Sequence, residues 1–204
     1  MIQELKRIFG PKCTAVKVNS EVNEFINLPT KKMKFCEAVF HSFNIPVRIN
    51  TDNLGCPGAR RCMGFDKDEN TLASTIAKNN GIPIKYIYKV LAQIPVLNNI
   101  THINLGITEL TEKDSHPDLY IMYLKPEQIT GIMHSQAKFE VMPMLPPYSL
   151  LSVCGNVFSR CYSGNTISIS FGCPESRIHG GIGPGEVVFG IPFKFTRQLI
   201  SLYN

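Results

Sequence analysis

The chain has 204 residues, is 44% hydrophobic and carries a formal net charge of +5. That is the size and balance of one soluble globular domain, or of two fused halves, with enough apolar residues for a sizeable core. Its modest basic excess includes no run of five or six like charges, and no apolar run reaches the roughly 18 residues of a membrane helix, so nucleic-acid binding and membrane insertion are not signalled.

In chain order, residues 2–9 predict a short helix and 13–18 a strand. Thr30 is the predicted N-cap of a helix over 31–43, where Phe35, Val39 and Phe43 recur at helical spacing beside Cys36 and Phe40. Asn44-Ile45-Pro46 ends it, and 47–49 predict a strand. Asn53-Leu54-Gly55 reads as a turn, and Pro57 suits the first turn of a helix starting near Cys56. Helices follow over 70–78 and along the stripe Ile84, Ile87, Tyr88 and Leu91, then a strand over 100–107. After the turn His116-Pro117-Asp118, the near-continuous apolar run 119–124 predicts a buried strand. Pro126 opens a helix to about residue 136, Pro143, Pro146 and Pro147 mark a loop, and 149–161 predict a second cysteine-bearing helix. A strand over 166–170, a second Gly-Cys-Pro turn, a glycine-rich loop over 180–185, a strand over 186–191 and a helix over 195–202 complete the chain.

The chain also repeats itself. Gly55-Cys56-Pro57-Gly58-Ala59-Arg60 returns 117 residues later as Gly172-Cys173-Pro174-Glu175-Ser176-Arg177, and at the same offset Gly64 falls on Gly181 and Glu69 on Glu186. Upstream, Cys36-Glu37-Ala38-Val39-Phe40 matches Cys154-Gly155-Asn156-Val157-Phe158, and Leu28-Pro29 matches Leu145-Pro146. An internal repeat is the better explanation than chance. The expected fold is therefore a mixed α/β (α+β) domain of two related half-domains, about 12–94 and 119–204, joined by 95–118 and packed about a pseudo-twofold axis.

The runs Ala15-Val16-Lys17-Val18, Phe35-Cys36-Glu37-Ala38, Cys56-Pro57-Gly58-Ala59-Arg60, Pro117-Asp118-Leu119, Leu124-Lys125-Pro126-Glu127-Gln128, Gly172-Cys173-Pro174-Glu175-Ser176-Arg177 and Gly190-Ile191-Pro192 resemble the domain-of-unknown-function 169 family of archaea and bacteria. The resemblance spans nearly the whole chain. The family is uncharacterised, so it implies no mechanism, and function has to be read from the residues.

The first ten residues are charged and amphipathic with no apolar h-region, so no secretory signal is expected and the chain is placed in the cytoplasm. Seven cysteines in a reducing compartment are free thiols: core residues, metal ligands or reactive groups. Cys56 and Cys173 each sit between Gly and Pro at a predicted helix start, which favours thiolate. With Cys36 and Cys154 they form a set of four, two from each repeat. Four converging thiolates suit an iron–sulfur cluster, with zinc as the alternative. Arg60 and Arg177, one turn beyond their cysteines, are the expected cofactor-binding cations, or else ion-pair partners of Glu69 and Glu186. Cys13, Cys62 and Cys161 have no counterpart in the other half. His179 is a candidate proton carrier, and the five histidines show no metal-ligand spacing. The glycine-rich loop is not a dinucleotide fingerprint. The expected function is thus a metal-cofactor protein with a redox role and a redox partner. The rivals are a cysteine-dependent enzyme with Cys56 or Cys173 as nucleophile, and a metal-free module that binds a small anionic ligand through Arg60 and Arg177.

Overall fold

The structure, a computed structural model, describes residues 1–21, 32–107, 116–134 and 149–203. The first half runs α1 (Ile2–Phe9), β1 (Cys13–Val18), α2 (Phe35–His41), β2 (Val47–Asn50), α3 (Pro57–Cys62), α4 (Glu69–Asn80), α5 (Ile84–Leu91) and β3 (His102–Leu105). The second half runs β4 (Leu119–Leu124), α6 (Pro126–His134), a π-helix (Ser152–Ser159) that continues as α7 (Arg160–Gly164), β5 (Ser168–Ser170), α8 (Pro174–His179), β6 (Val187–Pro192) and α9 (Phe193–Ser201). This is a mixed α+β fold.

The strands form one antiparallel sheet in the order β2-β3-β1-β4-β6-β5. The β1–β4 pair is central, with Val16 opposite Leu119 and Cys13 opposite Met122. Outwards from it the order is β1, β3, β2 on one side and β4, β6, β5 on the other. Each half therefore places its first strand innermost and its second at the edge.

Strand alternation assigns the two faces. Val16, Val18, Leu119, Ile121, Tyr123 and Val188 face a core shared with α2, α3 and the π-helix. Cys13, Ala15, Tyr120, Met122, Leu124 and Phe189 face a second core under α1, α6 and α9. β4 is buried on both sides along its full length, which explains its unbroken apolar run. The thiols discussed below belong to the first face; Cys13 is on the second.

Two helices differ from expectation near the site. The helix expected over 31–43 begins at Phe35. Met33 is held in a parallel bridge to Leu54, and Lys34 is extended (φ −79°, ψ 151°), so tertiary pairing wins over helical propensity there. Thr30 and Lys31, the Leu-Pro pairs of both repeats and the proline loop lie outside the described residues. The helix expected over 149–161 cannot start before Ser152, because Leu151 is left-handed (φ 49°). It then winds as a π-helix to Ser159, with the amide of Asn156 bonding the Leu151 carbonyl at 2.9 Å. Among the described residues, no helix is long and apolar enough to cross a membrane.

Candidate functional site: a thiol-lined pocket

The halves exchange elements on the first face. α2 packs on α8 of the other half, the π-helix packs on α3, and α2 meets the π-helix between them. The Met33–Leu54 bridge, with hydrogen bonds from Met33 N–H to Asn53 O and from Gly55 N–H to Met33 O (both 2.9 Å), ties the Cys56 turn to the chain entering α2.

Each turn presents its cysteine from an extended residue just before a helix-opening proline: Cys56 at φ −89°, ψ 113°, and Cys173 at φ −93°, ψ 164°. Ser176 closes the second turn. Its Oγ accepts from Cys173 N–H at 2.8 Å and from Cys173 Sγ at 3.3 Å. Cys36 lies in the first turn of α2, with Sγ 4.0 Å from the Glu175 carbonyl. Cys154 lies in the first turn of the π-helix.

Between these elements is a pocket of about 390 Å³, within the size range of small-molecule sites. Cys36, Cys56, Cys154 and Cys173 all line it. Its walls are otherwise largely apolar, from residues such as Phe35, Leu72, Ile76 and Leu151, and its charged residues are Lys34 and Glu175, which form an ion pair. Cys56 and Cys173 are partly exposed, whereas Cys36 and Cys154 are 8% and 7% exposed.

Burial dominates the thiol chemistry. It pushes Cys36 up to about 12, assisted by the charges of Cys56 and Cys173. It also raises Cys56, against the backbone N–H groups of Ala59 and Gly58 and the positive charge of Lys34, which favour the anion. Cys154 interacts with Cys62, a residue outside the pocket, strongly enough that each shifts the other's ionisation. That interaction and the nearby Arg61 guanidinium lower Cys62, while the same interaction and burial hold Cys154 well above the ordinary range.

The expected iron–sulfur role is corrected by this geometry. Among the described residues, no three His, Cys, Asp or Glu side chains are placed to hold one metal ion. Cys36, Cys56, Cys154 and Cys173 share a cavity without forming a four-thiolate centre.

A family profile described as an uncharacterised ArCR, domain of unknown function 169 (DUF169), matches residues 12–201. The chain belongs to this family. The match covers every residue lining the pocket. Neither the curated proteins nor the solved structures contain a match to this DUF169 chain.

Arg60 and Arg177 do not line the pocket of the DUF169 chain. Both brace their own turns. Each donates to the carbonyl two residues before its cysteine, Leu54 for Arg60 and Phe171 for Arg177. Each also reaches six residues forward, Arg60 to the Asp66 carboxylate (2.6 and 2.9 Å) and Arg177 to the Gly183 carbonyl (2.8 Å). Glu69 instead pairs with Arg61, and Glu186 with Lys12 at 2.7 Å. His179 stands 3.5 Å from Glu175, so its nearest charged partner is a pocket residue.

Sequence reasoning missed Lys34, Glu175 and Cys62. The first two have no charged counterpart in the other repeat. For Cys62 there was one usable signal. Gly155 follows Cys154 inside an apolar helix, and such a glycine marks a close approach. A Cβ at Gly155 would sit 3.1 Å from Cys62 Sγ.

Proposed function

We propose that this DUF169 chain is a cysteine-dependent small-molecule protein whose ligand occupies the thiol-lined pocket and whose reacting group is Cys56. One observation carries this reading: four cysteines from four separate elements line a single cavity of small-molecule size. Cys56 is the best placed of them. It is partly exposed at the start of α3, and Lys34 supplies the nearby positive charge. The ligand is mostly apolar and carries no net charge, because the walls are apolar and Lys34 is already neutralised by Glu175. The anionic-ligand alternative loses its support, since Arg60 and Arg177 are committed to their own turns.

The test is cysteine-resolved labelling of the native protein with a small neutral alkylator, read by peptide mass spectrometry. Cys56 and Cys173 should react first. Cys13, Cys62 and Cys161, which are buried outside the pocket, should stay unmodified until the protein is denatured. Uniform labelling of all seven thiols, or native protein whose pocket thiols never react, would overturn the reading.

A further inference from the structure

We propose that Cys62 and Cys154 are a redox pair, converted to a disulfide by exchange with a low-molecular-weight disulfide that enters the thiol-lined pocket. This goes beyond ligand binding and uses the pocket only as a route.

The geometry is asymmetric in a useful way. Cys62 closes α3 and is fully buried; Cys154 opens the π-helix of the other half. The two thiols are near enough to perturb each other's ionisation. The neighbouring backbone holds the two helices close. A Cβ at Gly155 would meet Ile94 Cγ2 at 2.8 Å and Cys62 Sγ at 3.1 Å, and Ser159 Oγ donates to the Cys62 carbonyl at 3.4 Å. Of the two thiols only Cys154 lines the pocket. An incoming disulfide therefore meets Cys154, and Cys62 waits behind it. Arg61, 5% exposed and anchored to the Leu91 and Ile94 carbonyls, places a positive charge beside Cys62.

The chemistry balances as ordinary thiol–disulfide exchange. The Cys154 sulfur attacks one sulfur of RSSR as its proton passes to the departing RS⁻. A mixed disulfide Cys154–S–SR forms, and the first RS⁻ leaves and takes up that proton. Cys62 then attacks the Cys154 sulfur, the Cys62–Cys154 bond forms, and the second RS⁻ leaves with the proton from Cys62. In sum, two cysteine thiols and RSSR give one protein disulfide and two RSH. The protein is oxidised by two electrons and the small disulfide is reduced. The new bond ties α3 to the π-helix and removes the Cys154 thiol from the pocket wall.

The experiment treats the full-length reduced protein with 2-hydroxyethyl disulfide, caps the remaining thiols and maps the peptides without reduction. The expected product has a Cys62–Cys154 cross-link, two fewer free thiols, no retained adduct and a higher Tm, all reversed by dithiothreitol. Cys62→Ser should stop at the intermediate and retain one mercaptoethanol on Cys154. The wild-type map decides the matter even if that variant folds poorly. A cross-link between another pair such as Cys56 and Cys173, a stable adduct with no Cys62–Cys154 link, or no reaction at either residue overturns the proposal.

Discussion

Lys34 and Glu175 form an ion pair that joins the N-cap of α2 in one half to the first turn of α8 in the other, and both residues line the thiol pocket. The same ammonium acts on the thiols, since its charge favours the anions of Cys56 and Cys36. The cation that tunes the pocket thus comes from the segment entering α2. The turn arginines, which are nearer in sequence to the reactive cysteines, hold backbone instead.

Lys34→Met should slow alkylation of Cys56. Removing the charge leaves burial less opposed, so the Cys56 thiol rises further and its thiolate becomes scarcer at pH 8. A shift of up to one unit corresponds to a rate lower by about two- to tenfold. Stability should change by no more than about 1 kcal/mol, because the pair is solvent-exposed on the Glu175 side. Labelling rates against pH check this, and an unchanged Cys56 profile would remove Lys34 from the site.

Arg60→Met should do the opposite. It breaks a two-bonded carboxylate pair with Asp66 and two hydrogen bonds to the Thr51 and Leu54 carbonyls. The expected loss is on the order of 1–3 kcal/mol. In a chain of this length that is a Tm drop of roughly 2–4 °C per kcal/mol. Cys56 labelling in the folded protein should match wild type, because Lys34 is the cation acting on that thiol.

Much of the architecture was legible because local patterns agreed with the tertiary result. The two-sided burial of β4 was written in its apolar run, and the repeat singled out four cysteines that share one cavity. What escaped was set by long-range contacts. The Met33–Leu54 bridge overrides helical periodicity before Phe35. The π-winding at Ser152–Ser159 is invisible to a search for the α-helical period. Glu175 was hidden because the copies diverge at that point. At its counterpart Gly58 a Cβ would lie 2.0 Å from Leu151 Cδ2, so a larger residue there would displace that side chain. Matching the two sequence motifs reveals what they share, whereas the ion pair at the pocket depends on what they do not.

Gly64→Ala and Gly181→Ala should both destabilise. Gly64 has φ +73° and its Cβ would lie 2.2 Å from the Leu97 carbonyl oxygen; Gly181 has φ +62° and its Cβ would lie 2.4 Å from the Phe40 ring. Left-handed strain and a steric clash combine, so each should cost about 2–4 kcal/mol. Gly81→Ala is the control. It shares the positive φ (+63°) but nothing lies within 4 Å, so only the strain of about 1–2 kcal/mol remains. Urea unfolding of the three variants checks the order; equal losses at all three would mean that close packing plays no part.

The final prediction is a loss of stability at alkaline pH that runs through buried thiols. Burial raises Cys13 and Cys36 from the ordinary value of 9.0 to about 12. Both are neutral when protonated, so the folded protein keeps its protons where the unfolded chain has released them. Above pH 9 the unfolded state binds fewer protons, and stability must fall as pH rises. The contribution of each thiol is complete below about pH 9 and is lost progressively towards pH 12. Within that window each cysteine contributes a slope of roughly 1.4 kcal/mol per pH unit. Cys154 and Cys161, also raised, add in the same direction. The double variant Cys13→Ala, Cys36→Ala should therefore be less stable than wild type at pH 8 yet lose stability more gently from pH 9 to 11, by about two proton equivalents. Urea denaturation in the presence of a phosphine reductant at half-unit pH steps measures both slopes. Parallel curves for variant and wild type would show that these thiols ionise alike in the folded and unfolded states, and would remove burial as the force that keeps them neutral.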